Sequence, residues 1–277
     1  SVERALIGSE IEHGAWFDGI TGQQVGRREG QYDHVPVHPW DYMRAALHGN
    51  LVFTHAHPNG SFFSIPDILC TLMSNYAELR AVNSADGSVW ALSRPKDGWG
   101  PEWNLKERLK NAENYEDAWR DFHASPAVIK LEGDLNQAKQ DALLGAVYRH
   151  AQDILDATGD VERAQAFAER GYKQIQSSAD PDFDAKGWSK YIAEEAAFDA
   201  EKFKAHINEE LAENYGEALR ANGIEIKFRR GDSGRASKPG LAPQSDAGSV
   251  ARELQGIQEA WRGKSRADID IRAEQTP

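Results

Sequence analysis

The chain has a single cysteine, Cys70, among its 277 residues. That excludes a disulfide framework. A lone thiol inside the apolar run Ile68, Leu69, Cys70, Leu72, Met73 reads as a buried core residue of a reducing compartment. Long hydrophobic runs are also missing. No stretch approaches the ~18 consecutive apolar residues of a membrane-spanning helix, and mean hydropathy is -0.65. No basic stretch followed by an apolar one opens the chain, so a cytoplasmic protein without signal peptide or membrane association is expected. The first residue is Ser rather than Met, as expected of a processed or trimmed chain. Positive charge is short: 32 Lys and Arg stand against 44 Asp and Glu, a formal net charge of -12. Such a surface repels a phosphate backbone and argues against nucleic acid as a partner. Lys227, Arg229 and Arg230 are the best local basic group.

What is present changes character near residue 100. Residues 10–94 carry short apolar and aromatic runs broken by Gly, Asn, Asp and Pro. Strands are expected at 13–18, 23–25 and 51–54, and a helix at 67–77 with Ile68, Leu69, Leu72, Met73 and Tyr76 on one face. Residues 79–92 read as a hairpin around the Asp86-Gly87 turn. A connector rich in Pro, Gly and Trp follows at 95–103. Helices are expected at 106–122, 134–158, 161–177 and 188–222, the last ending at Asn222-Gly223. Residues 224–228 alternate like a short strand, and 231–249 have the composition of a flexible linker. Val250, Leu254, Ile257 and Trp261 then share a helical face suited to docking on the body or on a partner. The expected organisation is an α+β unit (1–95), a mainly helical region (96–230), and a flexible linker with an amphipathic C-terminal segment (231–277).

The stretch from Phe53 to Leu69 holds the most chemistry. His55 and His57 sit two apart at the end of an apolar strand, so both imidazoles project to one face. Pro58 ends the strand. A loop of small and aromatic residues leads to Ser64-Ile65-Pro66-Asp67, which opens a helix. Asp67 is placed to supply a third ligand, and two imidazoles with one carboxylate leave a fourth position for water, as in catalytic zinc sites. Ser64 and Asp67 also form a plain N-cap pair, which needs no metal.

These residues resemble the JAMM motif of JAB/MPN metalloproteases: an upstream Glu, then His-X-His-Pro, then Ser-X-X-Asp. The resemblance implies a JAB/MPN-like mixed sheet with helices. It implies Zn²⁺ held by His55, His57, Asp67 and a water, with Ser64 near the oxyanion of a tetrahedral intermediate. It also implies a Glu as general base, here Glu12 or Glu10; Glu12 is preferred because it directly precedes the strand at 13–18. The family has ten residues between the second His and the Asp, and this chain has nine, Pro58 to Pro66. The shorter pattern Thr-His-X-His-Pro-X-Gly-X-X-Phe-Ser-X-X-Asp is similar to domains of bacteriophage, prophage and toxin-like proteins, some joined to head-morphogenesis modules. The resemblance covers residues 10–95.

Other candidates read more plainly. His34 and His38 are spaced for a helix, against which Pro36 and Pro39 argue. His123, His150 and His206 are expected to be ordinary helix residues. Glu194, Glu195, Glu209, Glu210 and Glu213 read as a solvated helix face. Trp99, Trp103, Tyr115, Trp119 and Phe122 are expected to glue the helices to the first unit, or to wall a substrate cleft. Three functions follow: a zinc peptidase or isopeptidase acting on a protein or peptide, a structural or interaction protein keeping a non-catalytic metal site, and a metal hydrolase or toxin of another class, for instance one acting on nucleic acid, against which the negative charge argues, or on cell wall.

Overall fold

The computed structural model describes residues 3–31, 34–58, 60–84, 86–177, 200–224 and 228–232. The fold is mixed α and β, as expected. Six strands form one sheet: β1 (His13–Asp18), β2 (Gln24–Glu29), β3 (Leu51–His57), β4 (Glu78–Asn83), β5 (Ser88–Ser93) and β6 (Phe228–Asp232), in the order β2-β1-β3-β4-β5-β6. Only β3 and β4 run parallel; the other neighbours are antiparallel. A parallel pair needs a crossover, and α2 (Ile65–Met73) provides it. This helix begins two residues before the expected 67–77 and stops four residues short of it, at Met73. Asn75 takes a left-handed φ of 53°. Asn75 N donates to Leu72 O and Tyr76 N to Thr71 O, which closes the last turn against the carbonyls that helix ends leave open.

The helices are α1 (Pro39–His48), α2, α3 (Leu105–Leu109), α4 (Tyr115–Ala124), α5 (Pro126–Thr158), α6 (Val161–Ser177) and α7 (Ala200–Ala221). Three differ from expectation. Residues 34–38 are not helical, in keeping with Pro36 and Pro39, whereas the helix at 39–48 has no counterpart in the sequence reading; Pro39 opens it because proline is tolerated in a first turn, where the N–H has no intrahelical partner. The helix expected at 106–122 is two, broken where Asn114 caps α4 by accepting from Asp117 N. Helix α5 starts at Pro126 rather than 134, capped by Ser125, and its 33 residues span about 50 Å. Helix α7 ends at Ala221, and the Asn222-Gly223 pair closes it as read from sequence, with Gly223 at φ 74° and Ile224 N bonded to Leu219 O. The strand expected at 224–228 is displaced: Ile224 is buried and β6 runs from Phe228 to Asp232, into the first two residues of the expected linker. Arg229 and Arg230 have their backbones in β6, opposite Ala91 and Trp90. Lys227, residues 178–199 and the C-terminal amphipathic segment lie outside the described residues.

One face of the sheet meets the helices. Phe53, Leu79 and Leu92 join Ile68 and Leu72 of α2, Phe122 of α4, Leu131 and Leu135 of α5, and Tyr215 and Leu219 of α7 in a continuous core. Trp99, Trp103, Tyr115 and Phe122 are buried in that core and Trp119 packs on it, the gluing role expected of them. Trp119 and Phe122 also line a cleft of about 290 Å³ along α2. On the opposite face Ala56, Val82 and Val89 meet Leu6. A second cluster, around Val147, Ile154, Phe167 and Phe203, joins α5, α6 and α7.

A core shared between sheet and helices predicts one cooperative transition. Tryptophan fluorescence, which sums eight tryptophans including Trp16 and Trp90 of the sheet, and far-ultraviolet dichroism, dominated by the helices, should give the same urea midpoint. Leu131→Ala should lower both together, by about 2–5 kcal/mol.

Candidate metal centre

The site forms where β3 ends. Alternation along the strand puts Phe53, His55 and His57 on the helix-covered face. Phe53 stacks on Trp16 (centroids 4.6 Å apart) and on His55 (5.2 Å), so the His55 ring rests on an aromatic ladder. Gly14, paired opposite His55, makes room for it: a Cβ there would lie 2.8 Å from the Phe53 ring.

The two histidines are buried, at 2% and 5% exposure. Their Nε2 atoms are 2.7 Å apart. Asp67 closes the group, with Oδ1 3.3 Å from His55 Nε2 and Oδ2 3.7 Å from His57 Nε2. His57 Nδ1 lies 2.8 Å from the Ser61 carbonyl. A carbonyl only accepts, so Nδ1 carries the proton and the Nε2 lone pair faces the site. Such an outer hydrogen bond commonly orients a ligating imidazole.

The N-cap and the ligand readings of Asp67 turn out to be one geometry. Ser64 N and Oγ both donate to Asp67 Oδ2 at 2.8 Å, and Asp67 N donates back to Ser64 Oγ at 3.2 Å. The capping box fixes the carboxylate and leaves Oδ1 turned toward His55. In this structure Ser64 is therefore the group that orients Asp67.

Protonation follows from these contacts. Burial works against charge on His55, but Asp67, and behind it Glu12, outweigh it and raise its pKa above the ordinary value. Burial and the neighbouring His55 lower His57 to about 4. Burial works to raise Asp67, yet His55, His57 and the Ser64 backbone hold it well below the usual carboxylate range. One proton on His55 thus serves as the cation between two acceptors, His57 Nε2 and Asp67.

Glu12 immediately precedes β1, its backbone held by Gln31 and Gly30, and its charge bears on His55. Glu10 is exposed. The register that sets Gly14 against His55 is what brings Glu12 to this end of β3. His34 and His38 are exposed ahead of α1 and are not among the described metal-capable groups. Glu209 and Glu210 pair with Arg149 at 3.0 Å, as a solvated face does, while Glu194 and Glu195 lie outside the described residues.

A contributor without sequence signal is Asn208 of α7. Its Oδ1 accepts from Phe62 N and its Nδ2 donates to Gly60 O, both at 2.9 Å. It thereby holds the loop that presents Ser61 to His57. Phe62 is wedged beside Trp90 and Tyr215. The helical region positions the site through this clamp.

The residues fit a divalent metal. Metal–ligand bonds of ~2.0–2.1 Å in a tetrahedron put donor atoms about 3.3–3.4 Å apart. The separations of 2.7, 3.3 and 3.7 Å bracket that spacing. Comparison with protein-family models, with curated proteins and with solved structures gives no match for this chain. The site is accordingly argued from its own geometry.

The metal-free protein should show a pH-dependent stability. His57 has a folded pKa near 4, below its ordinary 6.5. Between those values the unfolded chain binds a proton that the folded one refuses, so stability falls as pH drops, by at most about 3 kcal/mol. His55 is raised, so its contribution is complete below 6.5 and fades as pH climbs above it. Urea midpoints should peak near pH 6.5, and His57→Gln should flatten the acid limb. Asn208→Ala strands Gly60 O and Phe62 N; it should cost about 1–3 kcal/mol in urea unfolding and weaken metal binding about 10–100-fold by titration.

Proposed function

We propose that the chain is a zinc-dependent hydrolase cleaving a peptide or isopeptide bond. The observation that carries this reading is the buried His55–His57–Asp67 group, with one imidazole tautomer fixed by Ser61 and with Glu12 beside it. His55 Nε2, His57 Nε2 and one Asp67 oxygen would hold the ion. When bound, Zn²⁺ supplies Lewis acidity toward a carbonyl and lowers the pKa of water toward neutrality. Glu12 accepts the proton of the attacking water and returns it to the leaving amine as the C–N bond breaks. Ser64 keeps Asp67 in place and, by the JAB/MPN resemblance, stands near the developing oxyanion. Amide hydrolysis needs no further co-reactant. No helix among the described residues is long and apolar enough to cross a membrane. A cytosolic or phage-associated setting suits a free Cys70 whose thiol burial pushes up to about 12.

A second reading keeps the metal without turnover, as in a phage-associated structural or interaction protein. Two features favour it: the Ser64 hydroxyl is already engaged by Asp67, and the loop between His57 and Asp67 is one residue shorter than in the family.

The variants separate the readings. His57→Ala should lose the ion held at the end of β3. Glu12→Gln should keep it and lose about 10²–10⁴-fold in turnover of a peptide or isopeptide substrate. Metal bound by wild type with no turnover across such substrates would favour the second reading.

A further inference from the structure

A second group of ligand-type side chains sits between α5 and α7. His150 and Asp153 are one turn apart on α5 and face His206 of α7. Each offers a ligand atom, and the three atoms lie within 4.8 Å of one another. His206 Nε2 is 2.6 Å from Asp153 Oδ2. His150 is fully buried, its ring 5.1 Å from that of Phe167 and 4.9 Å from that of Phe203. His206 is mostly buried and Asp153 is a quarter exposed, so the group opens toward solvent on the Asp153 side and is walled by aromatics on the other.

An ion pair between α5 and α7 needs only Asp153 and His206. A third donor, the His150 imidazole packed against Phe167 and Phe203, is more than that pair requires. It completes a His₂Asp set suited to a divalent transition metal. Lys202 Nζ holds Asp153 Oδ1 at 2.8 Å, which leaves Oδ2 as the ligand atom. The sequence conceals the group: only the spacing of His150 and Asp153 is local, and His206 is 53 residues further on.

We infer that His150, Asp153 and His206 form a second metal site, binding Zn²⁺ or a similar divalent ion and stapling α7 to α5. This inference is independent of the hydrolase reading, because it uses none of the residues at the end of β3. It does bear on that site mechanically. Asn208, which clamps the loop at Gly60 and Phe62, is two residues from His206 on the same helix. An ion fixing His206 therefore fixes the register of Asn208.

The test is the metal content of the full chain, loaded with Co²⁺ or Zn²⁺ and freed of excess. The His57→Ala chain should retain about one ion, raising its melting temperature, and His57→Ala/His206→Ala should retain none. The Co²⁺ form of His57→Ala should show the visible absorption of a cobalt–imidazole site. Should the His206 variant not fold, Asp153→Asn, close to isosteric, reads the same loss. A folded His57→Ala chain that retains no ion overturns the inference. A wild-type chain that holds one ion, lost on His206→Ala and kept on His57→Ala, upholds it while removing the basis of the hydrolase reading.

Discussion

Two imidazoles edge to edge in an apolar wall cannot both be charged, and neither is stable there without a partner. That constraint organises the first half of the molecule. His55 and His57 leave water when β3 enters the middle of the sheet. Asp67 must then be within reach, and α2 must start where its capping box delivers it. The crossover between the parallel strands β3 and β4 is the same segment that closes the site. A proton on His55 satisfies the group when no metal is bound, in the position where a divalent ion would satisfy it better: three ligand atoms converge on that point, and a single proton must be shared between two acceptors.

The loop between the ligands is where the two halves of the chain meet. Gly60 and Phe62 are tied by Asn208, Ser61 orients His57, and Phe62 packs between Trp90 of the sheet and Tyr215 of α7. The helices are thus part of the mechanism of positioning. They share the main core with the sheet, and they hold from behind a loop too short to hold itself. Orientation of ligands by an outer layer of contacts is commonly worth 10–100-fold in metal affinity, about the scale at which a site is kept or lost.

What was legible in the sequence was local. His-X-His at a strand end follows from a period of two, and Asp67 at the third helical position follows from Ser64 at the cap. Both readings of Ser64 and Asp67, cap and ligand shell, are compatible because Oδ2 takes the cap and Oδ1 faces His55. Glu12 directly precedes β1 and its charge bears on His55, while Glu10 is exposed. Elements whose ends depend on one residue were harder. Asn114 splits an apparently continuous helix, Ser125 and Pro126 start another early, and Pro39 opens a helix at 39–48 that no local pattern announced. Asn208 left no trace, since an amide in a charged helix has no pattern until the partner loop, 146 residues away, is known. His150 and His206 likewise carry no local pattern, since they lie on different helices.

The central claim is that His55, His57 and Asp67 receive a metal ion. Anomalous diffraction at the zinc absorption edge, on crystals grown with zinc, tests it most directly. The account predicts a peak ~2.0–2.2 Å from His55 Nε2, His57 Nε2 and an Asp67 oxygen. Zinc in the crystal with no peak there, and His55 still bonded to His57 and Asp67, would contradict it.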